Sequence, residues 1–199
     1  MRNRLLVLVP FCALCACVNL SKGNPMSTVA PIESTRASGA ADFDFWIGKW
    51  RIANRRLVKR LAGSTEWETF EAIGEAHKLP GGIGNYDDFV AEAWRPGFVG
   101  MSFRVFNPVT NKWSIYWLDN QTGGVDPKTG QLNVPVVGGF ENDVGIFTCN
   151  DTFDGKPIAV EYRWSNITPT SARWEQAFSP DGGKTWETNW VMEMTRVSR

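Results

Sequence analysis

Side chains able to carry out chemistry are few in this sequence, and their spacing narrows the options further. The chain holds one histidine, His77, set in Glu75-Ala76-His77-Lys78-Leu79, and beyond its N-terminal segment one cysteine, Cys149. A zinc or iron centre draws on several His or Cys ligands, so no metal site is expected. No Gly-x-Ser-x-Gly elbow accompanies His77, which leaves a Ser–His–Asp arrangement without its usual nucleophile turn. Neither a phosphate-cradling Gly loop nor a dinucleotide fingerprint is present, and no cofactor is expected. Glu161 and Glu175 are acid–base candidates only if they face inward; beside Arg163 and Arg173 they read first as members of cross-strand ion pairs. Cys149, in a strand-like stretch, reads as a small buried hydrophobe.

What the sequence has in quantity is tryptophan, with ten in 199 residues. Indole is bulky filler for a small barrel and equally a lining for ligand sites, provided its N–H finds a partner. Hydrophobic residues make up 43% of the chain and aromatics 13%, enough for a core that needs no disulfide staples. Charges balance at 21 Lys+Arg against 21 Asp+Glu. The densest positive run, Arg55, Arg56, Lys59 and Arg60, reads as the solvated side of a strand, and nucleic acid is not expected as a partner.

The N-terminal residues have a processing signature. Arg2 and Arg4 precede an apolar stretch, Leu5 to Ala16, too short to span a bilayer. It ends Leu14-Cys15-Ala16-Cys17, which resembles the bacterial lipobox and implies cleavage before Cys17 and lipidation of its thiol, with a lipid anchor as the only membrane contact. A plain secretory signal and a cytoplasmic start at Met26 are the alternatives. Once Cys12, Cys15 and Cys17 are set aside, Cys149 has no disulfide partner in the chain. Residues 1–17 are thus expected to be a leader and 18–41, rich in Ser, Ala, Pro, Thr and Gly, a flexible tether. A single domain is expected over 42–199, in the cell envelope.

From Asp42 the texture changes. Asp42-Phe43-Asp44-Phe45-Trp46-Ile47-Gly48-Lys49-Trp50 predicts a short helical turn plugging one end of the domain and leading into a strand. Period-two alternation then predicts strands near 49–60, 65–79, 87–94, 98–106, 113–119, 131–138, 144–153, 158–167, 172–179 and 186–196. Short connections with Gly, Pro, Asn or Asp join them. About ten strands in meander order favour an all-β, antiparallel up-and-down barrel, because closure removes the edges. Ser179-Pro180-Asp181-Gly182-Gly183-Lys184-Thr185-Trp186 matches an Asp-box, read here as a rigid hairpin turn. Alternation sets Trp113, Ile115 and Trp117 on one face; Val160, Tyr162 and Trp164 on another; then Trp174, Gln176 and Phe178; and finally Trp186, Trp190, Met192 and Met194, opposite Glu187, Asn189 and Glu193.

Gly48-Lys49-Trp50 at the first strand and Arg196 at the end of the last resemble the calycins, the lipocalin and fatty-acid-binding-protein group. That resemblance implies that Trp50 closes the base of a barrel and Arg196 packs across its indole. The Phe43-to-Trp50 start and the Ser179-to-Arg196 tail resemble an uncharacterised bacterial family of lipocalin-like domains; the Thr-Asp-Tyr motif of true lipocalins is absent. The group implies an internal cavity for a small apolar molecule. Placed in such a barrel, the aromatic faces point inward, so that Trp117, Tyr162, Trp164, Trp190 and Met192 are the expected lining and Arg104 and His77 the expected polar anchors for a ligand oxygen. Three functions follow as expectations: a binding protein for a small hydrophobic molecule, a calycin-type isomerase, cyclase or hydratase, and a structural lipoprotein with a filled barrel. Ligand identity and oligomeric state are not specified.

Overall fold

The computed structural model describes residues 39–198; Cys17, Met26 and the rest of the leader and tether up to residue 38 lie outside the described residues. Ten antiparallel strands among the described residues form a closed up-and-down barrel in which each strand pairs with its sequence neighbours and the last pairs with the first. They are β1 (Gly48–Leu57), β2 (Trp67–Lys78), β3 (Gly84–Val90), β4 (Val99–Asn107), β5 (Lys112–Asp119), β6 (Val136–Glu141), β7 (Val144–Phe153), β8 (Lys156–Ser165), β9 (Ser171–Ser179) and β10 (Glu187–Ser198). Ten strands enclose a wider lumen than the eight that side chains just fill.

Alternation drives the closure. In β1, Trp50, Ile52 and Asn54 are buried while Lys49, Arg51, Ala53 and Arg55 are exposed, so one register alone puts the apolar set inside. The expected and observed strands agree to a few residues except at β3 and β6. β3 starts three residues earlier than 87, and the chain at 131–135 is loop, with β6 running on to Glu141. Both segments are rich in Gly or Pro, which blurs period two.

One end of the barrel is packed solid with aromatics. A 3₁₀ turn, Asp44–Trp46, precedes β1 and drops Phe43 and Trp46 into the lumen. Phe43 meets Trp113, Phe140 and Trp164 edge-on at 4.9–5.7 Å, and Trp46 stacks on Trp50 at 4.7 Å. Residues 39–41, expected in the tether, belong to this plug: Ala40 is buried, and the Gly39 carbonyl accepts the Trp113 indole N–H at 3.0 Å.

The two ends of the domain meet here. Trp50 and Arg196 are directly opposed on β1 and β10, and the Arg196 guanidinium lies 4.2 Å from the Trp50 ring centre. Its nitrogens donate to the carbonyls of Ile47 at 2.6 Å, Pro169 at 2.7 Å and Phe45. Trp50 Nε1 donates to the Trp46 carbonyl at 2.6 Å. Gly48, at φ 115°, supplies the left-handed turn into β1 that a side chain would resist.

The Asp-box is a self-contained turn. The Asp181 carboxylate accepts from Thr185 N, Thr185 Oγ1, Lys184 N and Ser179 Oγ at 2.7–3.1 Å, and these donors, Thr185 N first, hold its pKa down at about 2. Trp186 caps the turn from outside, donating to the Gly183 carbonyl at 3.1 Å, and is two-fifths exposed. It therefore leaves the inward row on which alternation had set it. A bulge between Thr188 and Trp190 explains the change: the extra residue, Asn189, turns inward and is fully buried, correcting its expected outward place.

Candidate functional site

Above the aromatic plug the lumen is hollow. A cavity of about 240 Å³ extends from Trp46 at its floor to Arg60 at the opposite, open end. Trp117 of β5, Tyr162 and Trp164 of β8, and Trp190 and Met192 of β10 all line it, and so does Arg104 of β4. These side chains come from the inward rows of four strands, β4, β5, β8 and β10, and closure of the sheet brings the rows together. Trp174 meets Tyr162 at 4.8 Å and Trp190 at 6.0 Å, edge to face. Trp190 is anchored from the other side by its indole N–H, which donates to Asn54 Oδ1 at 2.9 Å.

His77 does not join them. It lies on the outer face of β2, exposed, between inward-facing Ala76 and the end of the strand. Its ring sits 5.2 Å from Tyr86, directly across on β3, with the Glu75 carboxylate 3.9 Å away. The expectation that it anchors a ligand is corrected by strand parity: Ala72, Gly74 and Ala76 take the inner face, which leaves residue 77 outside.

The polar floor is an arrangement that sequence reading caught only at Arg104. β3 turns Asn85 and Asp87 inward, and β4 sets Arg104 opposite Asn85 and Ser102 opposite Asp87. Arg104 Nη1 lies 2.7 Å from Asp87 Oδ2 and donates to Asn85 Oδ1 at 3.0 Å. Asp87 also accepts the Trp46 indole N–H at 2.5 Å and the Ser102 backbone N–H at 3.1 Å. Arg104 and Asp87 are 3% and 4% exposed, so the charges are matched before any ligand arrives. The guanidinium also faces Phe43 at 5.2 Å and Trp164 at 5.7 Å. No sequence signal marks Asp87, because its partnership with Arg104 depends on the register of β3 against β4.

Two donors on this floor are left over. Among the described residues, neither Arg104 Nε nor Trp164 Nε1 has a hydrogen-bond acceptor, although both atoms are buried. Elsewhere the wall is chemically quiet. Burial pushes the Tyr162 phenol well above its ordinary range, with charges at Cys149 and Asp151 adding to the effect. Burial likewise raises the Cys149 thiol to about 11, so it is protonated at neutral pH and a poor nucleophile. Both oxygens of Asp87 are already engaged, by Trp46, Ser102 and Arg104. Among the described residues no three His, Cys, Asp or Glu side chains come together as a metal site.

Arg60, at the open end, stands over the rings of Phe153 at 4.8 Å and Phe178 at 5.8 Å. Its pKa is lowered, chiefly by burial and next by the charge of Arg56. Arg56 pairs with Glu68 at 3.0 Å beneath Trp94, which itself stacks on Phe70 at 4.2 Å. Gly100 on β4 permits one wall: a Cβ there would fall 2.3 Å from the Trp117 ring, so the far edge of the indole packs against bare backbone.

No protein-family model matches this chain, and no curated protein sequence matches it. Eight chains of solved structures match. One is the S-type phycobiliprotein lyase CPES from Guillardia theta, with a TM-score of 0.50 and 13% identity over 82% of this chain and 95% of that one. At such identity the likeness is one of fold alone, and together with the closed ten-strand barrel it fits the calycin-type fold that the sequence led us to expect.

Proposed function

We propose that this protein binds a small hydrophobic molecule inside its barrel. The observation that carries the reading is the hollow upper lumen: the chain packs five aromatic rings against Phe43 at one end yet leaves about 240 Å³ open beside Trp117, Trp174 and Trp190. A chain that needed only a filled barrel has the side chains to fill it. Ligand sites of this kind are concave and apolar, with few polar groups to fix orientation. Binding is favoured over catalysis because Asp87 is engaged by three donors and the Cys149 thiol is protonated at neutral pH.

The likeness to a phycobiliprotein lyase supports a ligand-holding barrel through its fold, and what this barrel holds is read from its own lining. We propose further that the domain works in the cell envelope, tethered through Cys17; the charged start, the apolar run and the Leu-Cys-Ala-Cys junction support it. Labelling with a fatty-acid probe should disappear in Cys17→Ala, and persistence of the label would refute the anchor. For the ligand, native mass spectrometry of protein purified from its own host should show one small organic molecule per chain. Protein that carries none, and whose lumen resonances stay still when apolar probes are added, would refute the binding function.

A further inference from the structure

The buried donors left over at the cavity floor restrict what the ligand is. Resting on the binding function above, we propose that the ligand is an uncharged, compact, mainly apolar molecule bearing a carbonyl-type oxygen, a ketone, lactone, quinone or amide, which accepts from Arg104 Nε–H and Trp164 Nε1–H.

The donors come first. Buried polar groups are almost always hydrogen-bonded, and each exception calls for an explanation. Here the two exceptions at the floor belong to neighbouring side chains, with the Arg104 guanidinium carbon 5.7 Å from the centre of the Trp164 ring. Both residues line the same cavity. Both are donors only, so the matching group must be an acceptor. A ligand oxygen seated against them supplies the acceptor that no side chain of the described residues provides.

Charge decides the kind of acceptor. Arg104 is already neutralised by Asp87 at 2.7 Å, and Asp87 is further engaged by Trp46 and Ser102. A carboxylate brought to this floor would place a second anion beside Asp87 in an apolar setting, with no cation left to match it. Burying an unmatched charge is far costlier than burying a bonded neutral oxygen. A hydrocarbon would leave both N–H groups without an acceptor, at the desolvation penalty of each. A neutral carbonyl avoids both costs.

Volume sets the size. An apolar cavity of about 150 Å³ accepts benzene, and on that scale the present 240 Å³ accepts about ten heavy atoms. A bicyclic aromatic ketone is of this size, and Trp117, Trp174 and Trp190 surround it with aromatic wall.

The test compares indanone, indane and indane carboxylate, three molecules built on one bicyclic ring frame, by isothermal titration calorimetry on the full chain. Indanone should bind one per chain, roughly tenfold to hundredfold tighter than indane, and indane carboxylate should bind more weakly than the ketone. The carbonyl stretch of bound indanone should fall below its position in alkane, and Trp164→Phe, which keeps the ring and removes the N–H, should raise it and bring the ketone's affinity toward that of the hydrocarbon. Indane affinity in the variant reports whether the cavity survives the substitution. Equal affinity for ketone and hydrocarbon, or a stretch unshifted from alkane, overturns the proposal while leaving a binding cavity. Preference for the carboxylate overturns it in favour of an anion site. Failure of all three to bind overturns the proposal and the binding function together.

Discussion

Replacing Trp50 by Ala tests whether the base of the barrel is held as its geometry indicates. Trp50 is 1% exposed, stacked on Trp46, capped by Arg196 at 4.2 Å and bonded to the Trp46 carbonyl at 2.6 Å. Truncating a buried aromatic costs about 3–5 kcal/mol. The orphaned Trp46 carbonyl, worth about 1 kcal/mol, and the lost cation–π contact, worth about 0.5–2 kcal/mol, place this site near the upper end. A loss of about 5 kcal/mol lowers the melting temperature by roughly 10–20 °C in a domain of this size. It also approaches the whole stability of a small domain, about 5–15 kcal/mol. Urea unfolding followed by circular dichroism measures the cost, and a cycle of Trp50→Leu with Arg196→Met isolates the pair. Because Arg196 keeps its backbone carbonyls when the ring is lost, the coupling should be about 0.5–2 kcal/mol. A Trp50→Ala cost under about 1 kcal/mol, or a coupling indistinguishable from zero, would refute the reasoning.

Gly100→Ala should push the Trp117 indole off its backbone shelf, costing about 1–3 kcal/mol as overpacking does and weakening indanone binding; unchanged affinity in calorimetry would show that Trp117 does not shape the site. His77→Ala should leave that affinity unaltered, since the ring lies on the outer face of β2, and a severalfold loss would contradict its placement. With Cys149 raised to about 11 by burial and the Asp151 charge, the folded chain keeps its thiol proton where the unfolded chain, near its ordinary value of about 8.5, has released it. The stabilising contribution is therefore complete below about pH 8.5 and is lost as the pH rises toward 11. Iodoacetamide should modify native Cys149 slowly at pH 8 and faster only near pH 11, and a half-maximal rate near pH 8.5 would count against its burial.

Much of the barrel was legible because period two survives wherever aromatics alternate with charges. Trp113 to Trp117, Val160 to Trp164 and Trp174 to Phe178 point inward as their spacing implies. Where a strand departs from strict pairing, parity fails: the bulge at Asn189 moves that residue inside and leaves Trp186 out. His77 was misplaced for a related reason, since its neighbours Gly74 and Ala76 are too small to announce which face they occupy. The Arg104–Asp87 floor lay beyond sequence reading because it needs β3 and β4 in register, and Asp87 looks locally like any solvated carboxylate. Gly100 is similar: its meaning lies in an indole that arrives from the next strand.

The Trp50–Arg196 clasp also has a temporal side. Nine of the ten strand pairings join consecutive strands and can form as each hairpin is made, whereas the tenth unites β1 with β10, and the Arg196 bond to Ile47 reaches back across 149 residues. Pairings of such sequence separation form late. Until the final strand is synthesised, β1 and β9 each present an unpaired edge, the kind of template on which chains aggregate. A chain cut before β10 would thus lack ring closure itself and be left a curled ribbon with two sticky margins, so this one strand acts as the fastener for the whole barrel.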